Sequence, residues 1–209
     1  MVVSLNREHG VEWCAISRAR PGELASGDQH VVASFPDGVL LAVIDGLGHG
    51  DEATLAARRA VDVLERQPGR PVVELLKECH SALRDTRGAA MTIVSVEPGR
   101  RTATAVGVGN VEAMFLHSDR RGERGVREGI LLRSGVVGYQ IPPLQATTHA
   151  VTPGDVLVFA TDGVRDDFGD TLRPDEPIGA MIERIFAQKF KGTDDALVLA
   201  CRILPGDES

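Results

Sequence analysis

The chain has 209 residues, with 43% apolar and 25% charged content and a net charge of −7. That is enough for one domain with a sizeable core, and the acidic balance disfavours nucleic acid or an anionic membrane as the main partner. No apolar run approaches the roughly 20 residues that cross a bilayer, and residues 1–10 lack the apolar centre of a signal peptide.

Strand patterns run over 11–18, 30–35 and 39–45. The last of these begins the segment VLLAVIDGLGHG, residues 39–50, in which the apolar run stops at Asp45-Gly46. A carboxylate at the end of a buried strand suits a hard metal ion, and the glycine lets a backbone carbonyl approach as a second ligand. Residues 51–66 then place Ala53, Ala56, Ala57, Ala60, Val61 and Leu64 on one helical stripe, with Asp51 and Glu52 in the first turn. Gln67 to Arg70 breaks that helix. Pro71 suits the first position of a second, striped by Val72, Leu75, Leu76, Cys79 and Leu83.

From residue 89 the period changes to two, and strands are predicted over 91–97, 102–109 and 111–117. Residues 119–129, DRRGERGVREG, read as a solvated hairpin loop. Short strands follow near 130–133 and 146–150. The run DVLVFATDG, residues 155–163, again ends in Asp-Gly, at Asp162-Gly163. A third helix is predicted over about 177–190 from Ile178, Met181, Ile182 and Ile185. Near the C-terminus the order reverses: Asp194-Asp195 precedes the last strand, 196–203. Strands in runs and helices in separate blocks give an α+β class, with two antiparallel sheets packed as a sandwich and flanked by helices.

One Asp-Gly is most often a turn. Three acidic sites, each abutting a buried strand, point instead to one carboxylate cluster. Mg²⁺ and Mn²⁺ select such oxygen ligands, and two ions sharing a bridging Asp can activate water toward phosphorus.

The elements DGLGHG, ATDG and DDALVL resemble the motif series of the metal-dependent serine/threonine protein phosphatases, the type-2C-like or PPM family, and within it the bacterial SpoIIE-like branch. The resemblance covers roughly residues 10–203. Ser26-Gly27-Asp28 is similar to a small-Gly-Asp element of that branch, and Gly109-Asn110-Val111 to its central hairpin. The resemblance implies two ions, Mn²⁺ or Mg²⁺. Asp45 would bridge them, Gly46 would offer its carbonyl, Asp162 would complete one ion, and Asp28 would hold ion-bound waters. One of the terminal pair would also be a ligand: alignment of DDAL with the branch's pattern favours Asp194, and counting from Gly192 favours Asp195.

The chain also departs from the family. Eukaryotic relatives carry a histidine where Leu47 stands. His49, two residues on, reads as a helix-entry or packing histidine. Arg18 and Arg20 have the wrong spacing for the relatives' phosphate-binding arginine and read as strand-end charges. His9, His30, His80, His117 and His149 show no metal-ligand spacing, and Trp13 and Tyr139 read as packing anchors. The three cysteines, Cys14, Cys79 and Cys201, read as reduced core thiols of a cytoplasmic protein.

The expectation is a single catalytic domain over residues 1–209 with no fused regulatory domain. In this the chain resembles the RsbX-type feedback phosphatases, whose substrates are phosphoserine and phosphothreonine on STAS-domain scaffold proteins of the stressosome. That implies a cytoplasmic monomer acting on a phosphorylated scaffold, with no nucleic acid or membrane partner. Two other readings compete: a phosphatase-like binding module without catalysis, which the intact acid set argues against, and a phosphatase of small phosphate esters.

Overall fold

The structure is a computed structural model that describes residues 4–23, 25–118 and 125–205. In chain order its elements are β1 (Asn6–Glu8), β2 (Val11–Arg18), β3 (Asp28–Phe35), β4 (Gly38–Gly46), α1 (Gly50–Arg66), α2 (Val72–Ala82), β5 (Ala89–Glu97), β6 (Thr102–Val108), β7 (Glu112–His117), β8 (Val126–Gly129), β9 (Leu132–Arg133), β10 (Thr147–Ala150), β11 (Val156–Ala160), α3 (Ile178–Lys189) and β12 (Ala196–Ile203). Short 3₁₀ turns lie at Pro98–Arg100 and Asp166–Thr171.

One sheet has the order β1-β2-β12-β11-β7-β8, and the other β10-β6-β5-β4-β3 with β9 added in parallel to β6. All other pairings are antiparallel. The expected sandwich is therefore present. The loop expected over 119–129 is only partly so. Residues 119–124 lie outside the described residues, but Val126–Gly129 forms β8 and pairs with β7. Its residues alternate between half-buried and exposed, a two-residue period that the charges obscured.

Side-chain alternation divides the apolar residues among three layers. In β4, Val39, Leu41 and Val43 face the centre of the sandwich, where they meet Phe115, Phe159, Leu197 and Leu199. Leu40, Ala42 and Ile44 of the same strand face outward and pack under α1 and α2 with Ala56, Ala60, Leu75 and Leu76. That is why β4 reads as an unbroken apolar run. The outer face of the other sheet is covered by α3 through Met181, Ile182 and Ile185, and by Phe168 of the second 3₁₀ turn. Each fully buried Leu, Ile or Phe contributes about 2 kcal/mol. No helix among the described residues is long and apolar enough to cross a membrane.

The three cysteines are buried and unpaired, as expected. Burial pushes the thiols of Cys14 and Cys79 up to about 12, and that of Cys201 higher still. Tyr139 departs from its expected packing role. It stands 83% exposed on the turn after Val136.

At the Val156 end of β11 a polar network joins the two sheets. The ring of His117 lies 2.9 Å from the Asp155 carboxylate through Nδ1 and 3.2 Å from Glu128 through Nε2. Glu128 in turn lies 2.8 Å from Nδ1 of His149, on the opposite sheet. Asp155, almost wholly buried, also accepts the backbone N–H groups of Ser118 and Thr152. Asp155→Ala should remove the acceptor of those two N–H groups and of the His117 Nδ1 side, with Glu128 still at Nε2, and cost about 3 kcal/mol, read as a lowered urea midpoint. A loss below about 0.5 kcal/mol would show that the network carries little of the stability.

Candidate metal centre

Four inward-facing side-chain stripes run toward the other end of the sandwich, and each turns polar there. Leu157 and Phe159 of β11 are followed by Thr161, and the inward stripe of β12 is preceded by Asp195. On the second sheet Asp45 ends the stripe of β4, and Asp28 opens β3 directly across the ladder from it. Two closely packed glycines bring these ends together. A Cβ at Gly46 would sit 2.1 Å from the carbonyl oxygen of Ala53, so only glycine lets the first turns of α1 rest on the end of β4. A Cβ at Gly163 would sit 1.9 Å from the carbonyl oxygen of Asp195, so the loop after Asp162 is pressed against the terminal pair.

The result is a cleft of about 270 Å³ bordered by Asp28, Asp45, Asp162, Asp194 and Asp195, together with Arg20, Leu47, Gly48, His49 and Asn110. Five of the six expected site residues share this one space. Gly46 is buried behind the wall rather than lining it.

The carboxylates differ in how they are held. Thr161 Oγ1 donates to Asp28 Oδ2 at 2.7 Å and accepts the Leu197 N–H at 2.8 Å, tying β3 to β11 and β12. Asn110 Nδ2 donates to Asp162 Oδ2 at 2.9 Å, and Lys191 Nζ donates to the Asp162 carbonyl at 2.6 Å. Both oxygens of Asp195 accept backbone N–H groups, from Arg20 at 2.8 Å and Gly27 at 2.7 Å. Asp194 is half-buried, and one of its oxygens accepts the Asp195 N–H at 2.9 Å. The pair thus divides: Asp195 ties down Arg20 and Gly27, while Asp194 keeps an oxygen for the cleft.

The sequence reading missed Thr161 and Lys191 and gave Asn110 no task. Thr161 was legible as the polar end of an apolar alternation. Lys191 reaches Asp162 only through the fold. His49 does stand at the helix entry, as the N-cap of α1, but its ring is exposed to the cleft and lies 3.2 Å from Glu23. The two arginines separate. Arg18 lies over the ring of Phe190, 5.1 Å from its centroid, and Arg20 borders the cleft.

Among the described residues no Lys, Arg or His lies within ion-pair distance of any of the five carboxylates. Burial raises the Asp28 carboxyl to about 8, with the Asp45 charge adding to it and the Thr161 hydrogen bond opposing. Burial likewise raises Asp45 to about 7, with Asp162 and Asp194 adding to it. Asp162 is raised in the same direction by burial and Asp194, and is partly relieved by Lys191 and Asn110. Hard oxygen donors carrying uncompensated negative charge fit divalent cations. Among the described residues no three His, Cys, Asp or Glu side chains converge tightly enough to enclose an ion alone. The arrangement therefore suits ions that keep water in their shells, as Mg²⁺ does.

These shifts fix a pH dependence for the cation-free protein. Between the unfolded carboxyl value of 3.8 and the raised values of about 7 and about 8, the folded state holds protons that the unfolded chain has lost. Stability should therefore fall as pH rises through that window. Mg²⁺ or Mn²⁺ at a hundredfold excess over Kd should add about 2.7 kcal/mol, with a larger rise in Tm near pH 8 than near pH 5. Thermal melts with EDTA or cation across this range test it. A cation-free Tm that rises with pH would contradict the assigned burial.

A sequence profile of the stage II sporulation protein E (SpoIIE) family matches residues 36–204. The phosphoserine phosphatase RsbX of Bacillus subtilis (strain 168) is 26% identical over 173 residues, which cover 78% of this chain and 79% of that protein. A chain solved in work on the bacterial stressosome, as a modular system adapted to control secondary messenger signalling, superposes with a TM-score of 0.79 at 28% identity. That match covers 92% of this chain and 99% of the other. A crystal structure of RsbX in complex with magnesium gives a TM-score of 0.86 at 19% identity, over 97% of this chain and 100% of that one. With its family profile spanning both glycine-closed strand ends and the terminal acid pair, the chain belongs to the SpoIIE family.

Proposed function

We propose that the protein is a divalent-cation-dependent phosphatase that hydrolyses phosphoserine and phosphothreonine esters on a regulatory protein. The observation that carries this reading is the convergence of Asp28, Asp45, Asp162, Asp194 and Asp195 on one water-accessible cleft. The magnesium complex of the structurally similar RsbX supports the choice of cation.

When bound, two Mg²⁺ or Mn²⁺ ions would polarise the phosphoryl oxygens and make water a nucleophile at neutral pH. Asp45 stands centrally, near enough to Asp162 and Asp194 for both charges to raise its carboxyl, which is the placement a bridging ligand needs. Asn110 and Lys191 fix Asp162 from its side chain and its main chain. Asp28, held by Thr161, positions water rather than an ion. Arg20 is the permanent cation bordering the cleft and is the group available to the substrate phosphate. Leu47 offers no proton, so the departing serine or threonine oxygen takes its proton from water or from His49 at the rim.

The relationship to RsbX and to the stressosome-associated chain supports a substrate of the same kind, a phosphorylated STAS-domain scaffold protein of the stressosome. The protein would then act in the cytoplasm as a monomer, resetting the scaffold as negative feedback. Phosphate release from such a scaffold should exceed that from an unrelated phosphoprotein. Equal rates would remove the scaffold assignment.

Chelation with EDTA should abolish phosphopeptide hydrolysis, and Mn²⁺ should restore it. Full activity in a verified cation-free sample would refute the mechanism. Asp45→Asn should lower turnover beyond the roughly 10–100-fold typical of changes outside the ligand shell, the range expected for Asp28→Asn.

The terminal pair gives a sharper test. Asp194→Ala should raise the cation concentration needed for half-maximal activity, with little change in Tm. Asp195→Ala should instead cost about 2 kcal/mol by orphaning the Arg20 and Gly27 N–H groups. The reverse pattern would make Asp195 the ligand.

A further inference from the structure

A second pocket adjoins the carboxylate cleft, with Asn110 and Asp162 as the shared wall. It lies on the outer face of the β7–β11 sheet, beside the 3₁₀ turn at Asp166–Thr171. Its volume is about 180 Å³, with room for one amino-acid side chain. The floor is apolar and buried, made by Ala160, Val164 and Phe168. The pocket exists because the outward stripe of β11, Val156–Val158–Ala160, ends in a small residue. The outward stripe of β7, which carries Met114 and Leu116, ends beside it at Glu112.

Glu112 is the unexplained group. A core stripe calls for an apolar residue there, yet the position holds a half-buried carboxylate. Neither Glu112 nor Asp166, whose charge acts on it, has a hydrogen bond or ion pair from its carboxylate among the described residues. Two cations also border the pocket. Lys191 donates to the Asp162 carbonyl and its charge also acts on Glu112, and Arg165 is exposed, its charge acting on Asp167. Asp162 belongs to the carboxylate cleft as well, so Glu112 and Asp166 are the carboxylates that line this pocket alone. An apolar floor under two carboxylates that accept no hydrogen bond among the described residues fits a side chain with an aliphatic stem and a cationic head.

We propose that this pocket is a substrate subsite for a lysine or arginine lying close in sequence to the phosphorylated residue, with Glu112 and Asp166 as its specificity determinants. The proposal rests on the phosphatase reading above and adds a sequence preference to it. The shared wall means that a peptide with its phosphate in the cleft needs to extend only past Asp162 to reach the pocket.

The test uses the full chain with Mn²⁺ and phosphoserine peptides in which Lys, Gln or Glu is scanned through the flanking positions, beside p-nitrophenyl phosphate as a small ester. At one position Lys should exceed Gln in kcat/KM by roughly fivefold, the scale of one partly screened ion pair, with the difference in KM. Glu112→Gln and the exposed-site variant Asp166→Asn should each bring that ratio toward one by raising KM for the Lys peptide. Hydrolysis of the small ester and the peptides with no preference, or with Glu preferred, would overturn the subsite while leaving the phosphatase reading intact. Failure to hydrolyse any phosphoester would overturn both. A Lys preference that survives in both variants would remove Glu112 and Asp166 from the role and refute the assignment.

Discussion

Carboxylates that repel one another are held within one small space, and the fold is arranged to make that possible. At least two of them, Asp28 and Asp45, face each other directly across an antiparallel pair. Like charges so placed destabilise a sheet, and burial magnifies the effect. The opposing forces come from the three apolar layers, which fix the strands regardless of what stands at their ends. They also come from a few donors aimed at individual oxygens: Thr161, Asn110 and the backbone of the 20–27 segment. The site is thus assembled by the core and left under electrostatic tension that a cation relieves.

The two ends of the sandwich handle buried charge differently. At the His117 end each acidic group meets a histidine or a backbone donor, and the network spans both sheets. At the Asp45 end the acids meet only neutral donors, and among the described residues no side-chain cation lies within ion-pair distance of them. One end closes the sandwich and the other is left with binding capacity.

Much of this was legible in the sequence, because the signal was alternation. The strands at 11–18 and 196–203 and the helix at 51–66 were read almost to the residue, since each carries a long one-sided or two-sided apolar pattern. Asp45 and Asp162 were legible because each interrupts such a pattern at a glycine, the terminal pair because it opens one, and Asp28 through the family resemblance of Ser26-Gly27-Asp28. β8 was not, because its four residues are half-exposed and its apolar content is one valine. Lys191 and Glu112 were not legible as neighbours of the site. Their relation to Asp162 is created by the pairing of β7 with β11 and by the return of the chain after α3, which no local spacing encodes. What distinguishes Asp195 from Asp194 is the pair of N–H groups of Arg20 and Gly27 on its oxygens, contacts between residues far apart in the chain.

The burial of all three cysteines has a chemical consequence. It is the thiolate that attacks peroxides and disulfides, and that reaction requires both exposure and a pKa low enough to supply it. Cys14, Cys79 and Cys201 have neither, being sealed in apolar layers with their protons held far above neutral pH. Oxidants therefore find no cysteine handle on the folded chain. The fold thus keeps all three of its thiols out of reach of the redox state around it.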